Sequence, residues 1–407
     1  MNMLRANAKR AMCGALLLTS SHAAAQETTE DPSALQVHGF VSQGYIKTTR
    51  NNYLAPSARS QGSVDFTEVG INFTKPLGDK LRVGIQLFAH DLGPLGNYAP
   101  QADWYYLDYR FFDWLGVRAG KTKLPWGLYN EANDVDAGRV PVLLPQSVYP
   151  VSNRDFLFAQ TGGELYGDVP LGVAGSLEYR LYGGTIFLNT NDVSTQLKGF
   201  EVPYEAGARL MWRTPIEGLQ VGGSAQALRL DFSFSPTPDQ QAAAQMAGEL
   251  PPDYAGVISA KIPVKLWVAS AEYQKEGLAL AAEYTRTYIH YQTNLLLPEN
   301  KVTNSGGYVM ASYQVAPWFT PGVYYSALFP NIHAKVPAGP DPHPRSSFQH
   351  DVAATLRYDL TANWLVKIEG HYMHGTAGLQ SELNNNRPLA SLAKDWGVLL
   401  VKTTGYF

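Results

Sequence analysis

Apolar and polar residues alternate along this chain in repeated stretches of about ten residues between positions 35 and 407. In the clearest stretch, residues 81–90, the odd-numbered positions are apolar and the even-numbered positions are mostly polar or small. Successive side chains of a β-strand point to opposite faces, so each stretch predicts a strand with one apolar and one polar face. Sixteen such stretches are present.

The gaps between these stretches are alternately short and long. Seven short gaps are rich in residues that favour tight turns, and they lie at 76–80, 112–114, 169–172, 214–218, 275–277, 315–318 and 360–363. Eight long gaps lie near 50–61, 91–102, 122–160, 185–204, 231–263, 288–304, 329–348 and 374–394. This pattern predicts an all-β, sixteen-stranded antiparallel transmembrane β-barrel with periplasmic turns and long extracellular loops. Within the loop at 231–263, residues 239–250 predict a short surface helix.

The first 25 residues are typical of a secretory signal peptide. Three basic residues precede an apolar core at 11–21, and small residues at 23–25 provide a cleavage site. We therefore expect a signal peptide over 1–25 and a barrel domain over 26–407. Removal of that segment leaves 29 Lys and Arg against 35 Asp and Glu, a net charge of −6, and no cysteine. Nothing in this balance indicates a nucleic-acid partner.

Charged residues in the middle of the strands fall almost entirely on the polar phase. A Lys or Arg facing lipid near the midplane costs about 2–4 kcal/mol, so this phase indicates a water-filled interior. We expect a pore wall that includes Arg82, Asp108, Arg110, Arg118, Glu178, Arg180, Arg209 and Arg213. Arg229 and Arg286 fall on the outward phase at the loop ends of their strands. There they are either ordinary rim residues or contacts for lipopolysaccharide phosphates.

The longest gap follows the fifth strand and exceeds the usual loop length several-fold. A sixteen-stranded barrel is wide enough to leave an aqueous channel, which a loop folded inward would narrow. Charged side chains at that constriction would filter solutes by size and charge. The candidates are Lys121, Lys123, Glu131, Asp134, Asp136, Arg139 and Arg154. The alternative is an external loop or a contact between subunits.

Residues 117–131, which read VRAGKTKLPWGLYNE, resemble the corresponding segment of the phosphate-selective porin O/P superfamily. The resemblance implies a trimeric outer-membrane barrel whose third loop folds into the pore, and the terminal Phe407 agrees with it. Phosphate-specific members have a dense inward arginine ladder and a lysine cluster. Here the inward arginines alternate with Glu68, Asp108 and Glu178, so an electric field between a basic wall and an acidic loop is at least as compatible.

The sequence therefore predicts a passive outer-membrane channel for small hydrophilic solutes or ions, with anions such as phosphate among the candidates. We expect no cofactor, metal or catalytic residue, and we expect contacts with outer-membrane lipid and lipopolysaccharide. Residues 116–122 approach a phosphate-binding P-loop but have one residue too few between the glycines. His371 and His374 lie on opposite faces of one strand and cannot converge on a metal. A lipase-like barrel enzyme and a soluble, secreted β-rich binding protein remain alternatives.

Overall fold

A computed structural model describes residues 34–187, 197–246, 248, 250, 254, 256–293, 300–333 and 344–407. Within these residues, sixteen antiparallel strands form one closed barrel, in which each strand pairs with its neighbours along the chain and β1 pairs with β16. The strands are β1 (Gln36–Thr48), β2 (Thr67–Pro76), β3 (Leu81–Asp91), β4 (Gln101–Phe112), β5 (Leu115–Lys123), β6 (Ala159–Pro170), β7 (Ser176–Ile186), β8 (Leu197–Arg213), β9 (Leu219–Phe234), β10 (Ile258–Lys275), β11 (Leu278–Thr293), β12 (Asn300–Tyr313), β13 (Phe319–Phe329), β14 (Gln349–Thr361), β15 (Trp364–Gly375) and β16 (Asp395–Tyr406).

The predicted fold class is confirmed, and each of the seven predicted turns lies between two consecutive strands. We call the barrel end with these turns the turn end, and the opposite end the loop end. The chain also forms the short helices α1 (Arg154–Leu157) and α2 (Pro238–Met246), the second at the predicted position. None of the helices in the described ranges has the length and apolarity to cross a membrane. The predicted signal peptide lies outside these ranges.

The strands β9 and β10 are longer than their alternation predicts. The loop between them is shorter than the predicted 231–263, because the ladder continues to the pair Phe234 and Ile258. This extension carries polar and apolar residues on both faces, including Asp231 opposite Lys261. Above the lipid boundary both faces of a strand can meet water, so the alternation that marks a membrane strand is lost there.

The outer face of the barrel presents a belt of exposed apolar side chains. Among them are Val69, Leu107, Leu165, Leu181, Leu210, Leu280, Val309, Val323, Val352 and Ile368. Aromatic residues border this belt at the turn end, where the rings of Phe112 and Trp114 stack with centroids 5.4 Å apart and those of Trp318 and Tyr358 with centroids 6.3 Å apart. An apolar band edged by aromatic side chains matches the lipid-facing surface of a membrane barrel.

Substitution of Val309 with lysine should destabilise the barrel by about 2–4 kcal/mol, because the side chain lies in the middle of the belt and is 56% exposed on the outer face. The matched control is Asn72→Lys, which introduces the same side chain on the inner face, since Asn72 pairs with the inward Gln86. Denaturant unfolding in lipid vesicles measures both changes. Equal losses for the two variants would contradict the orientation of the belt.

The interior is not uniformly wet. Two clusters of buried apolar side chains lie inside the loop end of the described barrel. One contains Ile46, Tyr53, Phe66, Val142, Leu143, Met373, Trp396, Val398 and Leu400. The other contains Trp126, Leu144, Val148, Ile186, Val202, Leu228, Leu266 and Tyr308. The expectation of a water-filled interior is therefore wrong at this end, because apolar residues of the inner wall pack against loops that fold inward.

Candidate functional site

The third loop, residues 124–158 between β5 and β6, crosses the lumen of the barrel. On one side the amides of Gly127 and Leu128 donate hydrogen bonds to Ser224 in β9 (3.2 Å) and Glu283 in β11 (3.0 Å). On the other side the amides of Val142 and Leu143 donate to the Glu369 carboxylate in β15, at 2.7 and 2.9 Å. The predicted inward-folded third loop is confirmed.

The sequence of the third loop limits its regular structure to short helical turns, α1 among them. Four prolines, Pro125, Pro141, Pro145 and Pro150, interrupt it and remove backbone donors. Gly127 adopts a φ of +57°, and a Cβ there would collide with the Tyr149 hydroxyl. Backbone amides buried in such a loop need acceptors, and the carboxylates of Glu283 and Glu369 on the wall provide them.

A buried cluster of charges attaches the loop to β15 and β16. Lys367, whose side chain is fully buried, donates to the Asp136 carboxylate (3.0 Å) and to the backbone oxygens of Asp136 and Arg139 (2.7 and 2.8 Å). Lys402 lies 3.4 Å from the same carboxylate, and the Thr404 hydroxyl donates to it at 2.8 Å. Burial alone would raise the pKa of Asp136, but Lys367, Lys402 and Arg139 hold that pKa well below its ordinary value. The carboxylate is therefore ionised at neutral pH.

A second group of ion pairs attaches the loop to β3 and β4. The Lys123 ammonium contacts the Asp134 carboxylate at 2.6 Å, and the Gln86 side chain donates to that carboxylate at 2.5 Å. The Nη2 of Arg154 donates to both carboxylate oxygens of Asp103, each at 2.9 Å. Three of the predicted constriction residues thus bind the loop to the wall, and their charges are neutralised by their partners.

Below the loop, towards the turn end, a continuous chain of ion pairs crosses strands β3 to β8. We call it the ion-pair ladder, and its members in order are Arg82, Asp108, Arg118, Glu164, Arg180, Glu131, Arg209, Glu178, Arg213 and Asp168. Its five arginines alternate with five carboxylates. All of the predicted wall residues except Arg110 belong to it.

Glu131 is the one member of the ladder that the loop supplies. Its carboxylate lies 2.5 Å from Arg180 and 3.1 Å from Arg209, and its side chain keeps 34% exposure to the lumen. Burial raises the pKa of Glu131, but the two guanidinium groups outweigh that effect and lower it to about 2. The loop therefore presents a permanent negative charge to the wall at neutral pH.

The wall is not the basic surface that the arginines alone suggest. Each arginine of the ladder has at least one carboxylate within 4 Å, so ten charged groups sum to zero. Glu131 touches the wall and does not face it across an open gap. This geometry therefore does not create a strong electric field between an acidic loop and a basic wall. The side chains of Arg82, at one end of the ladder, and Arg213, next to Asp168 at the other end, remain more than 40% exposed.

Two predicted residues lie away from the site. Lys121 pairs in register with the outward Tyr105, so it lies on the outer face, and its ammonium donates to the Ala102 backbone oxygen at 2.9 Å. Arg110 lies next to the turn end, 3.6 Å from the exposed Asp113. Arg139 and Asp136 are buried between the loop and the wall.

Sequence reasoning missed several residues that the structure brings to the site. Glu164, Asp168 and Asp103 complete ion pairs with predicted arginines. A signal for Glu164 exists in the sequence, because an isolated acid in the glycine-rich stretch 161–167 falls on the phase opposite Leu165. Lys402 and Glu68 also meet inside the barrel, at 2.5 Å.

The residues considered for enzyme chemistry do not assemble. Residues 116–122 form part of β5, where a phosphate-binding loop would lead into a helix. His371 is buried between Asp351 and Glu369, each 3.0 Å away, whereas His374 contacts Asp395 on the outer face. In the part of the chain that the structure describes, no three His, Cys, Asp or Glu residues are grouped to hold a metal.

Both outward arginines lie on the outer face, as predicted, but Arg286 lies in the middle of β11 and not at its loop end, because this strand continues to Thr293. Arg229 forms an ion pair with Asp231 at 2.8 Å and lies 5.8 Å from the ring centroid of Tyr204. Arg286 donates to the Tyr284 hydroxyl at 2.8 Å on the exposed outer surface.

The fold of this chain is similar to that of solved outer-membrane proteins. The anion-selective porin from Comamonas acidovorans is 11% identical, with a TM-score of 0.55 over 92% of this chain and 99% of that one. Salmonella typhi OmpF is 14% identical, with a TM-score of 0.55 over 92% and 97%. The trimer form of OmpT, an outer membrane protein of Vibrio cholerae, is 12% identical, with a TM-score of 0.51 over 92% and 99%. No protein-family model and no curated protein matches the sequence.

Proposed function

We propose that this protein is a porin of the bacterial outer membrane, through which small hydrophilic solutes or ions diffuse passively. The observation that carries this proposal is that the third loop crosses the lumen and joins the ion-pair ladder. Glu131 of the loop pairs there with Arg180 and Arg209 of the wall. The lumen beside this ladder, where the side chains of Arg82, Glu131 and Arg213 keep 45%, 34% and 41% exposure, is the proposed solute path. The fold similarity to an anion-selective porin and to OmpF supports this function.

The ladder favours a weak preference for anions. Its charges cancel in sum, but its two most exposed side chains are arginines, Arg82 at one end and Arg213 beside the terminal Asp168 at the other. Ions that approach from the turn end meet these guanidinium groups first, and a charge at the mouth raises the local concentration of the opposite charge. Small anions, phosphate among them, are the solutes that this arrangement favours, while the neutral sum argues against a high-affinity phosphate site.

We further propose that the protein is exported by the signal peptide over 1–25 and assembles as a homotrimer in the outer membrane. The trimer form of the Vibrio cholerae protein supports the oligomeric state, and the exposed apolar belt supports the location. A soluble binding protein would not expose so many large apolar side chains to water. Unheated protein extracted from outer membranes should migrate on a denaturing gel differently from heated protein.

Conductance in a planar lipid bilayer tests the proposed function directly. Purified protein should produce discrete current steps, and a salt gradient should give a reversal potential of the sign for weak anion preference. The heat-denatured protein is the control. Absence of current steps from protein that shows the unheated gel mobility would contradict a channel function. A reversal potential of the cation-selective sign would contradict the role given to Arg82 and Arg213.

A further inference from the structure

Arg139 is a buried guanidinium without an adequate partner. Its side chain is only 7% exposed, and its single ion pair is to Asp136 at 3.9 Å, which is beyond hydrogen-bond distance. The buried Nε of Arg139 has no hydrogen-bond partner among the described residues. The Asp136 carboxylate is already occupied by Lys367, Lys402 and Thr404. A buried charge left in this state is unfavourable unless something else compensates it.

A narrow cavity of about 40 Å³ lies beside Arg139, between the third loop and strands β2 and β3. Its polar lining comes from Glu68, His90, Asn133, Asp134, Arg139, Gln146 and Arg154. A space of this size holds one or two water molecules or a single monatomic anion. It is too small for an organic acid.

The other charged groups that line this cavity already have partners. Glu68 is 2.5 Å from Lys402, Asp134 is 2.6 Å from Lys123, and Arg154 is 2.9 Å from Asp103. Together with Asp136, Arg139 and Lys367, this set of described ion pairs has five Lys or Arg cations and four carboxylates. One positive charge is left over, and Arg139 is the cation with the longest contact.

We propose that this cavity binds one small monovalent anion of halide size, which Arg139 holds against the inner side of the third loop. The anion supplies the missing negative charge and a hydrogen-bond acceptor for the guanidinium. It is a resident ion that stabilises the attachment of the loop, and it is distinct from any solute that passes the ion-pair ladder. The inference does not rest on the proposed transport function, because binding to a stationary site is measured without any current.

Anion binding at this site is measured by the temperature at which the protein loses the gel mobility of its folded form. The protein in detergent is heated in sodium chloride, sodium bromide or sodium gluconate at equal ionic strength. Chloride and bromide should raise the transition by a few degrees in a saturable manner, and gluconate should not, because it does not fit the cavity. Arg139→Gln should abolish the difference between the salts, whereas Arg139→Lys should retain it with a higher half-saturating concentration.

The control variant is Arg387→Gln, which removes an exposed arginine of the last loop and should leave the halide effect intact. Equal transitions of the unmodified protein in chloride and gluconate would overturn the proposal, as would a full halide effect in Arg139→Gln. If that variant does not fold, the anomalous signal of bromide in crystals of the unmodified protein tests the site instead. A peak beside Arg139 supports the site, and its absence overturns it.

Discussion

Replacement of Lys367 with methionine is expected to lower the free energy of unfolding by about 3–5 kcal/mol and to raise the single-channel conductance. Methionine fills a similar volume but leaves the buried Asp136 carboxylate and two loop carbonyl oxygens without their main donor. Removal of one partner from a buried ion pair has a cost of this size, because the other charge stays buried. The loop would then be held to β15 only by the hydrogen bonds of Val142 and Leu143 to Glu369, and its displacement would widen the lumen.

Denaturant unfolding in vesicles and bilayer recordings measure the two effects. Lys80→Met is the matched control, since Lys80 is an exposed lysine in the turn between β2 and β3. A loss below about 1 kcal/mol together with an unchanged conductance would show that Lys367 does not hold the loop in place.

Replacement of Glu131 with glutamine is expected to raise the permeability of anions about fivefold and to lower that of cations by about the same factor. The variant leaves five arginines against four carboxylates in the ladder, and it leaves Arg180 and Arg209 with one carboxylate each, Glu164 and Glu178. A unit charge about 4 Å from a passing ion is worth about 1 kcal/mol in water, which corresponds to about a fivefold change for each ion. The reversal potential in a salt gradient measures the ratio of the two permeabilities.

The pH dependence of the same potential follows from the sign of the Glu131 shift. Its pKa is lowered to about 2, so the carboxylate stays ionised as the pH falls from 7 to 4. Over that range the contribution of Glu131 to selectivity should not change, and the difference between the unmodified protein and Glu131→Gln should stay constant. Near pH 2 that difference should fall to about half, because about half of the Glu131 carboxylates are protonated at a pH equal to their pKa.

Glu217→Gln serves as the control for this substitution. Glu217 is an exposed acid in the turn between β8 and β9, 3.0 Å from Lys275. Glu217→Gln removes one negative charge, as Glu131→Gln does, but it does so outside the lumen. It should therefore leave the reversal potential nearly unchanged. Identical shifts for the two variants would place Glu131 outside the solute path.

The number and order of the strands could be predicted from the sequence because lipid on one side imposes a strict period of two. Where a strand extends beyond the lipid, its alternation of apolar and polar residues is less informative, as at the loop end of β9 and β10. In β16 the run of Leu399, Leu400 and Val401 breaks the alternation, because Leu400 points inward onto the apolar cluster that includes Leu143. The irregularity was a signal of an inner packing partner, but it did not identify that partner.

The site was predicted only as far as strand phase determines it. Strand phase predicts that the arginines and Lys367 point inward. It does not predict that Lys367 pairs with Asp136, 231 residues earlier in the chain. Strand phase also predicts the correct position of Lys121, which points to the same outer face of β5 as Val117 and Ala119. The pairing of Glu131 with two arginines depends on how the third loop folds, and local sequence does not specify that fold.

The two attachments of the third loop have a consequence for assembly of the barrel. The loop is synthesised after β5, but its partners Glu369, Lys367 and Lys402 belong to the last two strands. The ring of strands must therefore close at β1 and β16 before the loop reaches its final position. Contacts between such distant segments form slowly. We expect the final step of refolding to be the docking of this loop inside an already closed barrel, detectable as a late phase that Lys367→Met abolishes.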